Sequence, residues 1–209
     1  MRKRMLGNVE VSEIGMGCMG LSHGYGAIPD EDRSVEAIRA AHAVFPLSAV
    51  QNIYLMVERG VEGDVIPFCE AHGIGLVAFS PVASGLLSGK VSAATQFEPN
   101  DDVRVFVPQL KPENIGANEP IVEMLRAFAE EKGATPAQIC LAWMLRRSPC
   151  AVPIPGSKNR GRILENLGAS EVEFTDDEFA RLQAALDSLE VHGHRGYNEA
   201  EGRGFLDRK

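Results

Sequence analysis

Apolar and polar positions along the chain fall into two periods. IGLVAFS at 74–80 is a short apolar run closed by Ser80-Pro81, and it reads as the clearest strand. LSAVQNIY at 47–54 and AVPIP at 151–155 read as further buried strands. PIVEMLRAFAEEKG at 120–133 instead repeats its apolar residues three and four apart, the period of a helix with one buried stripe. TPAQICLAWMLRRSP at 135–149 predicts a second firm helix, with Thr135 as N-cap, Pro136 in the first turn and Gln138 completing a capping box. GDVIPFCEAHG at 63–73 predicts a helix ending at Gly73, and TDDE at 175–178 caps a last one.

At the N-terminus, RMLGNVEVSEIGMGCMG predicts a small hairpin turning at Gly7-Asn8, followed by a strand near 13–18. SHGYGAIPD at 22–30 is a loop. Asp30, followed by acidic Glu31 and Asp32, predicts a helix start, with the helix running to about Ala43. Residues 83–118 are rich in Gly, Pro, Asn and Asp and form a long excursion, a kind of insertion that is often functional. GSKNRGRILENLG at 156–168 predicts a turn and a short helix, and the polar tail after Val191 is expected to fray. Strands alternating with helices predict a parallel α/β architecture, either a doubly wound sheet or a barrel.

Composition narrows the function classes. A net charge of −8 with a pI near 5.2 argues against nucleic acid, which needs clustered Lys and Arg. No apolar run approaches the roughly 20 residues that span a bilayer. The basic start, Met1 to Met5, is not followed by an apolar signal core, so a cytoplasmic protein is expected. Cys18, Cys69, Cys140 and Cys150 lack zinc-type spacing and read as reduced thiols. His192 and His194 have no carboxylate or thiol partner at suitable spacing, so no metal site is expected.

Two segments compete as cofactor sites. GMGCMG at 15–20 satisfies G-x-G-x-x-G, but that motif works only when its last glycine opens a helix facing the pyrophosphate. Here LSHGYGAIP follows, and the predicted helix starts some ten residues late. The second segment, VPIPGSKNRGRILENLGA at 152–169, places Ser157, Lys158 and Arg162 around a helix start, with Glu165 and Asn166 one turn on. Backbone N–H groups and cationic side chains there suit a phosphate. A solvated basic turn accounts for the same residues equally well.

Four co-linear stretches settle the choice by resemblance. EIGMGCMGLSHGYG, GIGLVAFSPVASGLLSGK, GATPAQICLAWMLRR and VPIPGSKNRGRILENLGA together resemble the aldo-keto reductases. That family folds as a (β/α)₈ barrel, binds NADPH without a Rossmann domain and reduces aldehydes and ketones. The resemblance implies that Phe79 stacks on the nicotinamide and Gln51 holds its carboxamide. It implies that Ser80, Val82, Ser84, Gly85, Leu87 and Lys90 follow the pyrophosphate, with Gly17, Cys18 and Met19 at the end of the first strand. Ser157, Lys158 and Arg162 would take the 2′-phosphate, which favours NADPH, and Glu165 and Asn166 the adenine.

The resemblance also marks what the chain lacks. The family protonates the developing alkoxide with a tyrosine, aided by a lysine, while a histidine orients the carbonyl. The segments carrying these residues do not occur here: the chain passes from the first barrel helix to the region before strand six, with the join near RAAHAV at 39–44. Tyr25 and Tyr54 have no lysine placed beside them, so neither is taken as a replacement for the missing acid. No catalytic residue is therefore assigned.

The expected fold is an incomplete TIM-type barrel with C-terminal helices, keeping four of eight strands, near 13–18, 47–52, 75–79 and 151–154. A full barrel takes about 250 residues. The expected organisation is one truncated domain: a first βα unit with its hairpin over 1–41, strands six to eight over 42–191, and a tail over 192–209. Open edges would invite association, and a homodimer of two half-barrels is one way to close them. Three functional readings stay open: an NADPH-dependent carbonyl reductase acting on a small substrate, a non-catalytic NADP(H)-binding protein, and a deletion remnant.

Overall fold

The computed structural model describes residues 2–18, 31–98 and 102–194. They fall into two compact units, one before Ala49 and one from Ala49 onward. The division falls just beyond Phe45-Pro46.

The first unit opens with the antiparallel hairpin β1 (Lys3–Leu6) and β2 (Val9–Ser12), in register from Lys3 opposite Ser12 to Leu6 opposite Val9. Gly7 turns it with φ +64°, a left-handed conformation glycine adopts without strain. Cross-strand Lys3–Glu10 and flanking Arg2–Glu13 ion pairs, at 2.6 and 3.2 Å, sit on the exposed surface. The strand expected at 13–18 does not form. Those residues are irregular, with Ile14 and Met16 exposed, because β2 already ends at Ser12 and no strand among the described residues pairs with them. Helix α1 (Glu31–Val44) stops as Pro46 removes the next donor, and the His42 ring accepts from Leu47 N at 3.1 Å. Asp30, its expected cap, lies outside the described residues, as do Met19, His23 and Tyr25.

The second unit holds a parallel sheet of three strands, in order β3 (Ala49–Ile53), β4 (Gly75–Phe79) and β5 (Ala151–Pro153). Among the described residues the expected four barrel strands are thus three, and no barrel closes. Register runs Val50–Leu76–Ala151 across the sheet. Leu76, Ala78 and Ala151 are buried on the helical face, while alternate positions Gln51, Val77, Phe79 and Val152 share the other face.

Helices α2 (Val65–His72), α4 (Glu119–Lys132), α5 (Pro136–Arg147), α6 (Arg160–Leu167) and α7 (Asp176–Asp187) supply the layer, with a short α3 (Pro112–Ala117) in the excursion. Sequence caps explain their ends. Thr135–Gln138 and Thr175–Glu178 form capping boxes, and Gly73 and Gly133 close α2 and α4 in the left-handed conformation. Ile121, Leu125, Ile139, Trp143 and Leu182 meet Leu76, Leu86 and Leu87 in one hydrophobic core.

The tail is fastened further than expected. Asn118 donates to the His192 carbonyl at 2.8 Å and accepts from His192 N at 2.9 Å, and Gln109 N donates to the His194 carbonyl at 3.3 Å. No helix among the described residues is long and apolar enough to cross a membrane.

Candidate functional site

β4 ends at Phe79, half-buried, and the chain leaves it through a bent loop. Ser80, Ala83 and Ser84 all have positive φ, at 55°, 50° and 54°, an arrangement costly for residues with a Cβ. Ala83 N donates to the Ser80 carbonyl and Gly85 N to the Val82 carbonyl, each at 2.9 Å. The Ser88 hydroxyl then donates to the Gly85 carbonyl at 2.6 Å. Leu86 and Leu87 plug this loop into the core. Its far end is held by Arg126, which donates to the Gly89 carbonyl at 3.3 Å. Backbone strain of this kind persists only where the surrounding packing fixes it, as buried Leu86 and Leu87 do here.

Lys90 ends that loop, and its ammonium lies 2.9 Å from the Glu165 carboxylate on α6. Burial works to raise the Glu165 carboxyl, but the Lys90 and Thr135 hydrogen bonds outweigh it and hold the group below its ordinary range. Gln138 completes the junction: its Nε2 donates to the Glu165 carbonyl at 2.9 Å, while its Oε1 accepts from Thr135 N. Glu165 therefore joins the 80–90 loop, the N-terminus of α5 and helix α6. Half of this was readable, since the TPAQ box announced Gln138's local bond; its reach to α6 depends on tertiary packing.

At the start of α6, Asn159 caps the helix by accepting from Arg162 N at 3.1 Å, and Ser157 accepts from Asn159 N at 3.0 Å. Lys158 and Arg162 stand exposed around this turn. In the excursion, Asp102 is held below the usual carboxylate range by its hydrogen bonds from Arg104, with a smaller pull from the charge of Lys158. Arg104 is fixed between Asp102, at 2.9 Å, and the ring of Phe97, 4.4 Å from its centroid. Neither Arg104 nor Asp102 was singled out by spacing.

Of the sequence-derived candidates, Ser80, Val82, Ser84, Gly85, Leu87 and Lys90 occupy one loop. Ser157, Lys158, Arg162, Glu165 and Asn166 occupy one turn and helix, and the Lys90–Glu165 pair joins the two groups. Gln51 is exposed on the sheet face it shares with Phe79. Gly17 and Cys18 lie in the irregular exposed segment of the first unit.

The described tyrosine is elsewhere. Tyr54 is fully buried, its ring 5.7 Å from that of Trp143, and its hydroxyl donates to Glu62 at 2.8 Å. Burial, and then Glu62, push the Tyr54 hydroxyl far above its ordinary value. Arg147 in turn holds Glu62 at 2.9 Å, and against the effect of burial keeps it ionised. A proton donor needs the opposite environment. No group of acidic, His and Cys side chains suited to a metal occurs among the described residues.

Residues 32–187 match the model of the aldo/keto reductase family. The chain belongs to that family. A probable aldo-keto reductase of Glycine max is 33% identical over 167 residues, which cover 80% of this chain and 48% of that protein. Among solved structures, the glycerol dehydrogenase of Gluconobacter oxydans superposes with a TM-score of 0.64 at 25% identity, over 74% of this chain and 46% of its own. A thermostable aldo-keto reductase solved with the inhibitor epalrestat gives a TM-score of 0.50 at 26% identity, over 75% and 46%. This aldo-keto reductase chain thus spans about half the length of the relatives it matches.

Proposed function

We propose that this aldo-keto reductase family chain binds NADP(H) and lacks a proton donor of its own for carbonyl reduction. The observation that carries the reading is the Lys90–Glu165 pair, which joins the strained 80–90 loop to the cationic turn at Ser157–Arg162. The donor set fits the cofactor. Lys158 and Arg162 match a 2′-phosphate in charge, the capped N-terminus of α6 adds backbone dipole, and Glu165 offers an acceptor for an amino group. Bound NADPH would supply the hydride. Tyr54, sealed on Glu62, is unsuited to supply the proton that must accompany it.

In this proposal the join near 39–44 removed the family's acid, lysine and histidine, so the chain acts as a cofactor-binding, non-catalytic member. The second reading, a working reductase of aldehydes or ketones, draws on the family match and on the probable reductase it resembles.

Calorimetric titration with NADPH and NADH tests the first reading. Micromolar NADPH binding, weaker for NADH and lost in Arg162→Ala, is expected, with no NADPH consumption against a panel of aldehydes and ketones. Absence of binding by a folded sample overturns it, and sustained turnover selects the second reading. Heat is a better signal than Trp143 emission, because that indole is sealed against Tyr54 and hydrogen-bonded to Gln183 at 3.0 Å.

A further inference from the structure

Cys69 and Cys150 lie away from the candidate site, at the N-terminal ends of the strands. Cys69 is in the last turn of α2, and its carbonyl accepts from Ile74 N at 2.9 Å. Cys150 immediately precedes β5, and its carbonyl accepts from Leu76 N at 2.8 Å. Both cysteines are therefore tied by backbone hydrogen bonds to the same three-residue run that opens β4. Both residues line one shallow, open depression, together with Glu70, Arg147 and Pro149. Cys69 is buried and Cys150 is half-buried, its sulfur 3.5 Å from the Ser148 hydroxyl. Burial first, and then the neighbouring Cys150, raise the Cys69 thiol above its ordinary value.

We propose that Cys69 and Cys150 form a reversible disulfide when the protein meets a hydroperoxide, stapling the end of α2 to the start of β5. Cys150, the more accessible sulfur, attacks one peroxide oxygen as its thiolate. The O–O bond breaks, leaving a sulfenic acid on Cys150 and, with hydrogen peroxide, one water. The Cys69 sulfur then attacks the Cys150 sulfur. The S–O bond breaks, and the departing hydroxide takes the Cys69 proton as a second water. Two thiols lose two electrons in all, and one peroxide is reduced. A small dithiol reverses the bond by exchange through a mixed disulfide.

The fold suits this chemistry. Cys69 is buried and Cys150 more accessible, and their backbones are anchored to the same run of β4, which suits Cys150 as the first thiol oxidised and Cys69 as the resolving one. The bond would close a loop of about 80 residues, long enough to restrict the unfolded chain strongly. Cys140 offers a contrast within the protein: it is fully buried under the Leu87 carbonyl, and burial pushes its thiol far up. This inference is independent of the cofactor reading.

The test uses the full chain carrying Cys18→Ser, which removes the exposed thiol, treated with hydrogen peroxide, quenched in acid and alkylated. The expected result is loss of two of the three remaining thiols and a peptide pair linking positions 69 and 150 in a non-reducing digest. Dithiothreitol should reverse it, and the oxidised form should melt several degrees higher. Cys69→Ser should leave Cys150 as a sulfenic acid that dimedone traps, and Cys150→Ala should leave Cys69 reduced. Linkage through Cys140, an intermolecular bond at Cys150, or direct passage of Cys150 to sulfinic acid overturns the proposal. The 69–150 peptide link in the Cys18→Ser chain decides the matter even if Cys69→Ser fails to fold, and all three thiols still free after peroxide likewise overturn the proposal.

Discussion

The Lys90 ammonium rests 2.9 Å from the Glu165 carboxylate, across 75 positions of chain. Each residue belongs to a different stretch of the candidate cofactor site, so the pair sets the distance between the loop after β4 and helix α6. Lys90 is half exposed, and exposed pairs contribute little to folding. Lys90→Met is therefore expected to change stability by less than about 1 kcal/mol. It should weaken NADPH binding by about tenfold, the scale of one lost charge-assisted contact. Urea unfolding and calorimetry on the same sample separate the two effects. A large loss of stability with unchanged affinity would make the pair purely structural.

Tyr54 supplies the sharpest test of the non-catalytic reading. Tyr54→Phe keeps the ring against Trp143 and removes only the hydroxyl that donates to Glu62. A loss of about 1 kcal/mol is expected, since Glu62 retains Arg147 but loses one partner. NADPH affinity should not change. If the parent protein reduces a carbonyl and Tyr54→Phe abolishes that turnover at full cofactor occupancy, Tyr54 is the proton donor and the reading fails.

Local signals carried much of this fold, and tertiary ones did not. The capping boxes at Thr135 and Thr175, the left-handed Gly73 and the run ending at Ser80-Pro81 all mark boundaries that the structure keeps. The strand expected at 13–18 failed because a strand needs a neighbour, and alternation alone cannot tell whether one is present. The tail at 192–194 looked free because its anchors, Asn118 and Gln109, lie more than seventy positions earlier. In the site, the residue types at 157–166 were legible, whereas the join of Lys90 to Glu165, and Gln138's bond to α6, came only from packing.

Gly193 fastens that tail. Its φ is +72°, and a Cβ added there would meet Asn114 Nδ2 at 2.8 Å and Gln109 N at 2.9 Å. Neither the conformation nor the space admits a methyl group. Gly193→Ala should cost about 1–3 kcal/mol and release the Asn118–His192 bonds. Limited proteolysis would then cut near 190 at low protease, while the parent resists. Parent-like resistance would show that these hydrogen bonds do not hold the tail.

Acid should loosen the hold on the N-terminus of α7. Glu178 is pulled down to about 2, first by its hydrogen bond with Lys132 and next by the Thr175 N–H of the capping box. A carboxylate whose folded value lies below its unfolded one contributes stability that is present above the unfolded value, about 4.3. That contribution fades as pH falls from there toward 2. Glu62, Asp102, Glu165 and Asp187 are lowered as well, so the whole protein should lose stability over the acid range. Glu178→Gln isolates one contribution. It should lower the urea midpoint at pH 7, leave it near the parent value at pH 2, and flatten the slope between them. A gap between variant and parent that stays constant from pH 7 to pH 2 would show that Glu178 acts through packing, not through its charge.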